Sequence, residues 1–567
     1  MVYSRYAVTK LQAVLIAIIV IIAIAAVAGL VLTQKPAPPT TTPPSTTSPS
    51  ATSPSPTSTS TPTTASPKPK KMTLVIVTST EPEGLDIQQV DYSVVVHTLI
   101  FQALGAFDPD MNVVLDLASE LTLDVEGSAI IAKISEDAKF SNGDPLDAYV
   151  VKATVERYLN LSPFAGDWAM LDHIEVPDKH TVKFVFEGSP NYVWVVNIPT
   201  EWGGIVNVKV AKEVGNAKFN ELPIASGPFK VKEWVHGSHI VLVKNEYYKT
   251  NLPFVKNHGP PKIDEVIIRF IADDLTRASE FLAGKADIML DVPIDVVGEL
   301  RKNPDVKLYE IIDPGIHYIQ VNVRKAPLDD IRVRQAIMYA IDRETIADTL
   351  ENTVIPWYLF MSPTQMCFNK SVEEWAEQQY AYNPEKAKEL LAEAGWVDTD
   401  GDGVVDREGK PLVLELLVPT DNPKLKRIAP LIQSMLAQVG IKVELREFKG
   451  TYIGDRIDEW NFELALYHHS FHEPAGILPY VWHSELGNTT YSNPEVDKLL
   501  EEDMNKPHTP EQRVEIYTKI QEHLLHDLPG IPLFVDISYT AVWNWVKNLY
   551  VTPPYGTLYL NDAEVAR

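Results

Sequence analysis

The sequence predicts an α/β body of two or more lobes, carried behind a hydrophobic N-terminal segment and a Ser/Thr/Pro-rich stalk. Three observations point there. The chain has 567 residues, more than one hydrophobic core usually organises. Hydrophobic residues make up 45% of it, enough for real cores. From Met72 onward, short β-branched runs alternate with longer stretches of helical periodicity.

Residues 1–10 carry Arg5 and Lys10 and read as a cytoplasmic N-terminus. Leu11–Leu32 follows without a charge, interrupted only by Gln12 and Gly29. Its 22 residues suffice to span a bilayer as a helix. Both positive residues precede the run, which orients the N-terminus inward and the body outward. Residues 11–32 are therefore expected to be a transmembrane anchor or signal-anchor, with cleavage after Ala28 or Gly29 as the alternative. Residues 33–71 form the stalk. Within it, Thr40–Ser66 holds 19 Ser or Thr, six Pro and two Ala, with no charge and no large apolar side chain. Burial cannot order such a segment, and its prolines keep it extended. Its hydroxyls invite O-glycosylation, and sequons at Asn160, Asn369 and Asn488 add to the expectation of a glycoprotein.

In the body, Thr73–Thr78, Val182–Phe186, Ile240–Val243 and Val266–Ile271 have strand composition. Helices are predicted over Arg332–Thr349, Pro384–Ala394 and Pro430–Val439. Asn383 before Pro384 is an N-cap followed by Pro at the first helical position, and Gly395 and Gly440 stand where C-caps belong.

Formal charge is −26, from 76 acidic against 50 basic residues, which repels phosphate backbones and excludes a nucleic-acid partner. Cys367 is the single cysteine, so no disulfide closes within the chain and no CxxC motif exists. No GxSxG, HExxH, P-loop or dinucleotide glycine motif occurs. The expectation is a monomeric, non-enzymatic protein without a cofactor.

Six segments in order carry a family likeness: "EPEGLDIQQ" (Glu81–Gln89), "KFSNGDPLDAYVVKATVERYL" (Lys139–Leu159), "IASGPFKVKEWVHGSHIVLVKNEYYK" (Ile224–Lys249), "YIQVNVRKAPLDDIRVRQAIMYAIDRETI" (Tyr318–Ile346), "YNPEKAKELLAEAGWVDTDGDGVVDREGKPL" and "YSNPEVDKLLEE". In these the chain resembles the family 5 extracellular solute-binding proteins, the oligopeptide- and dipeptide-binding class serving ABC importers. The resemblance implies a two-lobed periplasmic-binding-protein-like fold that closes on its ligand by a hinge motion. Lobe I would comprise residues 72–288 and 536–567, with an inserted subdomain at about 108–199, and lobe II residues 289–535. The crossings would fall near Ala286–Pro293 and Ile531–Thr540. The implied partners are a peptide ligand and the permease subunits of an ABC importer.

In the oligopeptide binders an aromatic followed three residues later by an aspartate holds the ligand's ammonium. Counting back from Pro474, these places fall on Tyr467 and Ser470, and a second pocket aromatic matches Phe448. A neutral serine cannot offset a desolvated ammonium, which brings an oligosaccharide forward as the alternative ligand. Phe448, Tyr467, His468 and Ser470 are the expected ligand contacts. Trp202 joins them because Gly203 and Gly204 would let a ligand approach the backbone. Glu473 is a conceivable substitute for the missing acid. "YHHSFHEP" (Tyr467–Pro474) is read as polar contact rather than a metal site. From Asp398, carboxylates fall at positions 1, 3 and 5 of a calcium-loop pattern, but Gly409 stands at position 12, where an acid is needed. The segment is read as a tight turn. Rivals from other classes are a surface hydrolase and a sensory surface protein.

Overall fold

The computed structural model describes residues 71–487 and 489–567; the expected anchor at 11–32, the stalk up to residue 70 and the sequon asparagine Asn488 lie outside the described residues. Among the described residues, no helix is long and apolar enough to cross a membrane.

Thr73–Thr78 forms the predicted strand and buries Leu74, Ile76 and Val77. It pairs in parallel with Glu265–Phe270 on one side and Ile288–Met289 on the other. Glu265–Phe270 carries the hairpin of Phe229–Val235 and His239–Lys244. Beyond Ile288–Met289 lies Gly530–Trp543, a strand of 14 residues. Through it the sheet runs on into Gly315–Val321, Leu464–Ser470, Val413–Pro419 and Lys442–Phe448. The two lobes therefore share one hydrogen-bonded sheet. Each has its own core, around Ile76, Phe229 and Val266 in the first and Ile319, Ile337 and Ile432 in the second. A separate antiparallel sheet of four strands, between Ala118 and Phe186, packs with the helix Ala148–Leu161 around Ile130, Phe140 and Phe184. After Trp543 the chain stays on the first lobe, burying Leu558, Leu560 and Ala563.

The first crossing lies later than the expected Ala286–Pro293. Val306–Ile312 pairs antiparallel with Ile537–Trp543, the first-lobe half of the shared strand. Leu300 joins Val77, Phe281 and Ala541 in a first-lobe cluster, with Val306 and Leu308 packed against it. The stretch from 289 to 312, assigned to lobe II from the sequence, thus packs on lobe I, and the chain crosses at Asp313–Gly315. Ladder pairing decides this, and composition does not show it.

Local chemistry explains two further differences. The helix predicted over Arg332–Thr349 is two helices, Ile331–Ala340 and Arg343–Thr349, because Asp342 turns out of the first and caps the second through Thr345 N. The break aims buried Arg343 at the carbonyls of Trp357 and Pro532, each 2.9 Å away. The helix expected to begin at Pro430 begins at Pro423, capped by Asn422 through Leu425 N, and Pro430 sits inside it. Asn369, one of the three sequon asparagines, caps a helix through Ser371 N and donates its amide to Thr518 at 2.9 Å.

Lobe II closes over a buried ion cluster. Arg513 donates to Asp503 at 2.8 Å through Nε and to Glu473 at 3.1 Å through Nη1, and the Tyr517 hydroxyl donates to Asp503 at 2.8 Å. Arg513→Met would strand both carboxylates without a counter-charge. We expect a loss of about 3–5 kcal/mol in urea unfolding, whereas a loss below about 1 kcal/mol would contradict this reading of the cluster.

Candidate functional site

The lobes meet where the two crossing segments touch. Ile311 stands opposite Ser538 across the ladder, and Asp313 N donates to the Asp536 carbonyl at 2.9 Å. Side chains alternate along a strand, so Asp536 shares a face with Ser538, and Asp313 continues the face of Ile311. On the other lobe, Ser470 stands opposite Gly315 and His468 opposite His317. Gly315 is required there, since a Cβ would meet the His469 carbonyl oxygen at 2.0 Å.

Two hinge carboxylates thus lie close together, and bases surround them. His317 Nε2 is 2.8 Å from Asp536 Oδ2, and Lys424 Nζ donates to Asp536 Oδ1 at 2.7 Å. Burial works to raise the Asp536 carboxyl, but His317 and Lys424 outweigh it and hold the group far below the carboxylate range. His468 stacks on His317 with ring centroids 4.3 Å apart, and its Nε2 is 3.9 Å from Asp313 Oδ1. Burial also opposes ionisation of Asp313, while the nearby His468 imidazole and Ser470 hydroxyl bring it below its usual range. Burial lowers His317 despite its aspartate partner.

Cavities open on both sides of this crossing. On the second lobe, one of about 360 Å³ is lined by Tyr467, His468, Asp421, Asn422 and Gly450. On the first lobe, one of about 340 Å³ reaches Ser538 and Thr540 on the shared strand and is lined by Thr78, Glu201, Asp291 and Tyr555. A smaller pocket shares Glu201 and Tyr555 and adds Gln102 and Asp116. Burial pushes Asp116 up to about 7, although Gln102 and Thr250 donate to it at 2.7 and 2.5 Å.

Of the residues singled out from the sequence, Phe448 and Tyr467 pack on one small core, and His468 and Ser470 lie on the same strand as Tyr467. Trp202 is elsewhere. It packs edge-on against Phe164 and lines a small first-lobe pocket that holds no second-lobe residue. Its glycines serve the chain itself: a Cβ on Gly203 would meet Asn197 O at 1.5 Å, and one on Gly204 would meet Glu201 O at 2.7 Å. The neighbour, Glu201, is the residue that reaches the cavities. The histidine run is dispersed by strand alternation. His468 faces the cleft, His469 is buried against Tyr318, and His472 reaches the first lobe. Glu473 is fully buried with Arg513 and is no substitute acid at the cleft. Asp313, on no motif, is the carboxylate beside Ser470. In the acidic turn, Asp398, Asp400 and Asp406 approach one another within 4.8 Å. Asp398 accepts from Gly401 N and Gly403 N, and Asp406 from Thr399 N, bonds that fold the turn.

Residues 112–485 match the family model "Bacterial extracellular solute-binding proteins, family 5 Middle". The chain belongs to this family. It is 27% identical over 490 residues to the oligopeptide-binding protein AppA of Bacillus subtilis, covering 82% of this chain and 84% of that one. It is also 27% identical over 508 residues to the probable D,D-dipeptide-binding periplasmic protein DdpA of Escherichia coli, covering 86% and 92%. The structure of AppA in complex with a nonapeptide matches with a TM-score of 0.66 at 25% identity, over 88% of this chain and 100% of that one.

In this solute-binding body the lobes also touch at His472. Its Nε2 donates to Val195 O at 2.9 Å, and Nδ1 accepts from the Tyr555 hydroxyl at 3.1 Å, an arrangement for neutral imidazole. Burial lowers His472 to about 4, against an unfolded value of about 6.5. Between those values the unfolded chain binds a proton the native contact does not, so stability falls as pH drops from 6.5 toward 4. His472→Asn should reduce the slope of unfolding free energy against pH by up to about 1.4 kcal/mol per unit in that window. His97, lowered to about 4, and His469, to about 3, keep the rest of the slope. Denaturant melts from pH 6.5 to 4.5 measure it, and an unchanged slope would contradict the assignment.

Proposed function

We propose that the chain is the extracytoplasmic receptor of an ABC importer, taking a polar solute between its lobes and presenting the closed form to permease subunits. The observation that carries this reading is the pair of cavities flanking one crossing point on a shared strand. A ligand spanning them binds one inter-lobe angle better than others and so drives closure. The ligand is by family default a short peptide, as the names of AppA and DdpA suggest. Phe448 and Tyr467 stack on it, while His468 and Ser470 hydrogen-bond to it. The second reading, an oligosaccharide, is favoured by Ser470 and by the hydroxyls of Thr78, Ser538 and Thr540 lining the first-lobe cavity. The protein works without turnover, as a monomer, on the outer face of the membrane. The composition of residues 11–32 supports its tether there, and among the described residues the sequon asparagine Asn160 is exposed and open to a glycan.

A thermal-shift screen of the full chain against short peptides and α- and β-linked oligosaccharides tests this. A ligand at a hundred times its dissociation constant adds about 2.7 kcal/mol to stability. Tyr467→Ala should abolish most of that gain, and loss of its packing on the core and on Tyr318 should also lower the ligand-free melting point. Full binding by that variant would remove the stacking role, and hydrolysis of a stabilising solute would sink the receptor reading in favour of an enzyme.

A further inference from the structure

The charges lining the two first-lobe cavities are one-sided. The larger has Glu201 and Asp291 as its charged residues, and the smaller has Glu201 and Asp116. Among the described residues, no Lys, Arg or His lines either cavity. The hinge aspartates differ in this respect, being matched by Lys424, His317 and His468.

The guanidinium groups behind the wall are committed elsewhere. Arg301 donates to the Tyr539 hydroxyl at 2.6 Å and to Asn352 O at 3.2 Å. Arg277 donates to Asp274 at 2.6 Å, and to Ile271 O and Asp291 O at 2.8 Å. Asp291 itself is held by donors on one oxygen: Thr78 Oγ1, Ser79 N and Ser79 Oγ all reach Oδ2, at 2.8, 3.0 and 2.7 Å. Among the described residues no donor is placed on Oδ1. Burial holds the Glu201 carboxyl above its usual range, with no base beside it to offset the desolvation.

We propose that this cavity takes the cationic end of the ligand, a primary ammonium or guanidinium, at Asp291 and Glu201. This rests on the solute-receptor reading and names the class of solute. A carboxylate or phosphate entering the same space would be desolvated against like charge with no cation to meet it. A cationic group donates charge-assisted hydrogen bonds to these carboxylates, and hydroxyls of Thr78, Thr540 and Tyr555 accept from its remaining donors. A neutral hydroxyl ligand would leave the half-buried Glu201 and the exposed Asp291 without a counter-charge. The net charge of −26 steers cations toward the body at long range, which adds to the same preference.

The test uses the full chain with one tripeptide in three forms, N-free and C-amidated, N-free with a free carboxylate, and N-acetylated with a free carboxylate, beside a neutral trisaccharide. Calorimetric affinities should rank the amidated, cationic form at least tenfold above the free acid, with no binding by the acetylated form. Raising the salt concentration should weaken the amidated form most. Asp291→Asn and Glu201→Gln remove the charge while keeping one acceptor oxygen each and should each weaken the amidated probe at least tenfold, with ligand-free melting points confirming that they fold. Equal or tighter binding of the acetylated acid or the trisaccharide would overturn the cation site and leave the solute receptor standing. Stabilisation by none of the four would count against both.

Discussion

Everything in this molecule depends on one strand belonging to two lobes. Gly530–Trp543 pairs through its first half with Gly315–Val321 and through its second with Val306–Ile312. Its start is fixed by close packing. A Cβ on Gly530 would stand 3.0 Å from Tyr318, and Arg343 ties Pro532 O to the second-lobe core. Its end is fixed in the first lobe, where Trp543 Nε1 donates to Phe281 O at 3.0 Å. The stretch where pairing changes hands, around Asp536, is left as the place where the lobes can turn.

That place is also the most highly charged part of the cleft. Two aspartates on adjacent crossing segments would repel; Lys424 pairs with Asp536, and the imidazoles of His317 and His468 lie against the two carboxylates. Two of these bases come from elements of the second lobe other than the crossing itself, so the ion cluster couples hinge angle to second-lobe position. The first-lobe cavity, by contrast, holds acids without bases. Charge inside the cleft is thus balanced at the hinge and unbalanced where a solute would enter. This division gives the solute a reason to bridge the lobes.

Much of the frame was legible in the sequence because local chemistry specifies it. Asn383-Pro384 capped its helix as read, and the same Asn-Pro pair at 422–423 marks the true start of the helix placed too late at Pro430. The strand at Thr73–Thr78 and the cap at Asp147 have local causes of the same kind. The first crossing was misplaced because ladder pairing between residues more than 200 positions apart leaves no mark on composition. The site divides likewise. Phe448, Tyr467, His468 and Ser470 follow from motif spacing, and of these Tyr467 and His468 line the second-lobe cavity. The glycines after Trp202 pack tightly for the sake of the chain itself, and the informative neighbour Glu201 lies in no pattern. Asp313, Asp291 and Asp536 become meaningful only when distant strands bring them together.

The central claim, that the lobes turn about the Asp313–Asp536 crossing when solute binds, is tested most directly by the distance between them. Spin labels at Tyr149→Cys on the inserted subdomain and Trp375→Cys on the second lobe occupy exposed positions, 58% and 49% accessible. Native Cys367, whose thiol burial pushes up to about 12, stays unreactive. With a solute that stabilises the protein, double electron–electron resonance should show a broad distance distribution narrowing to a single shorter distance. Saturating binding with an unchanged distribution would contradict the hinge account.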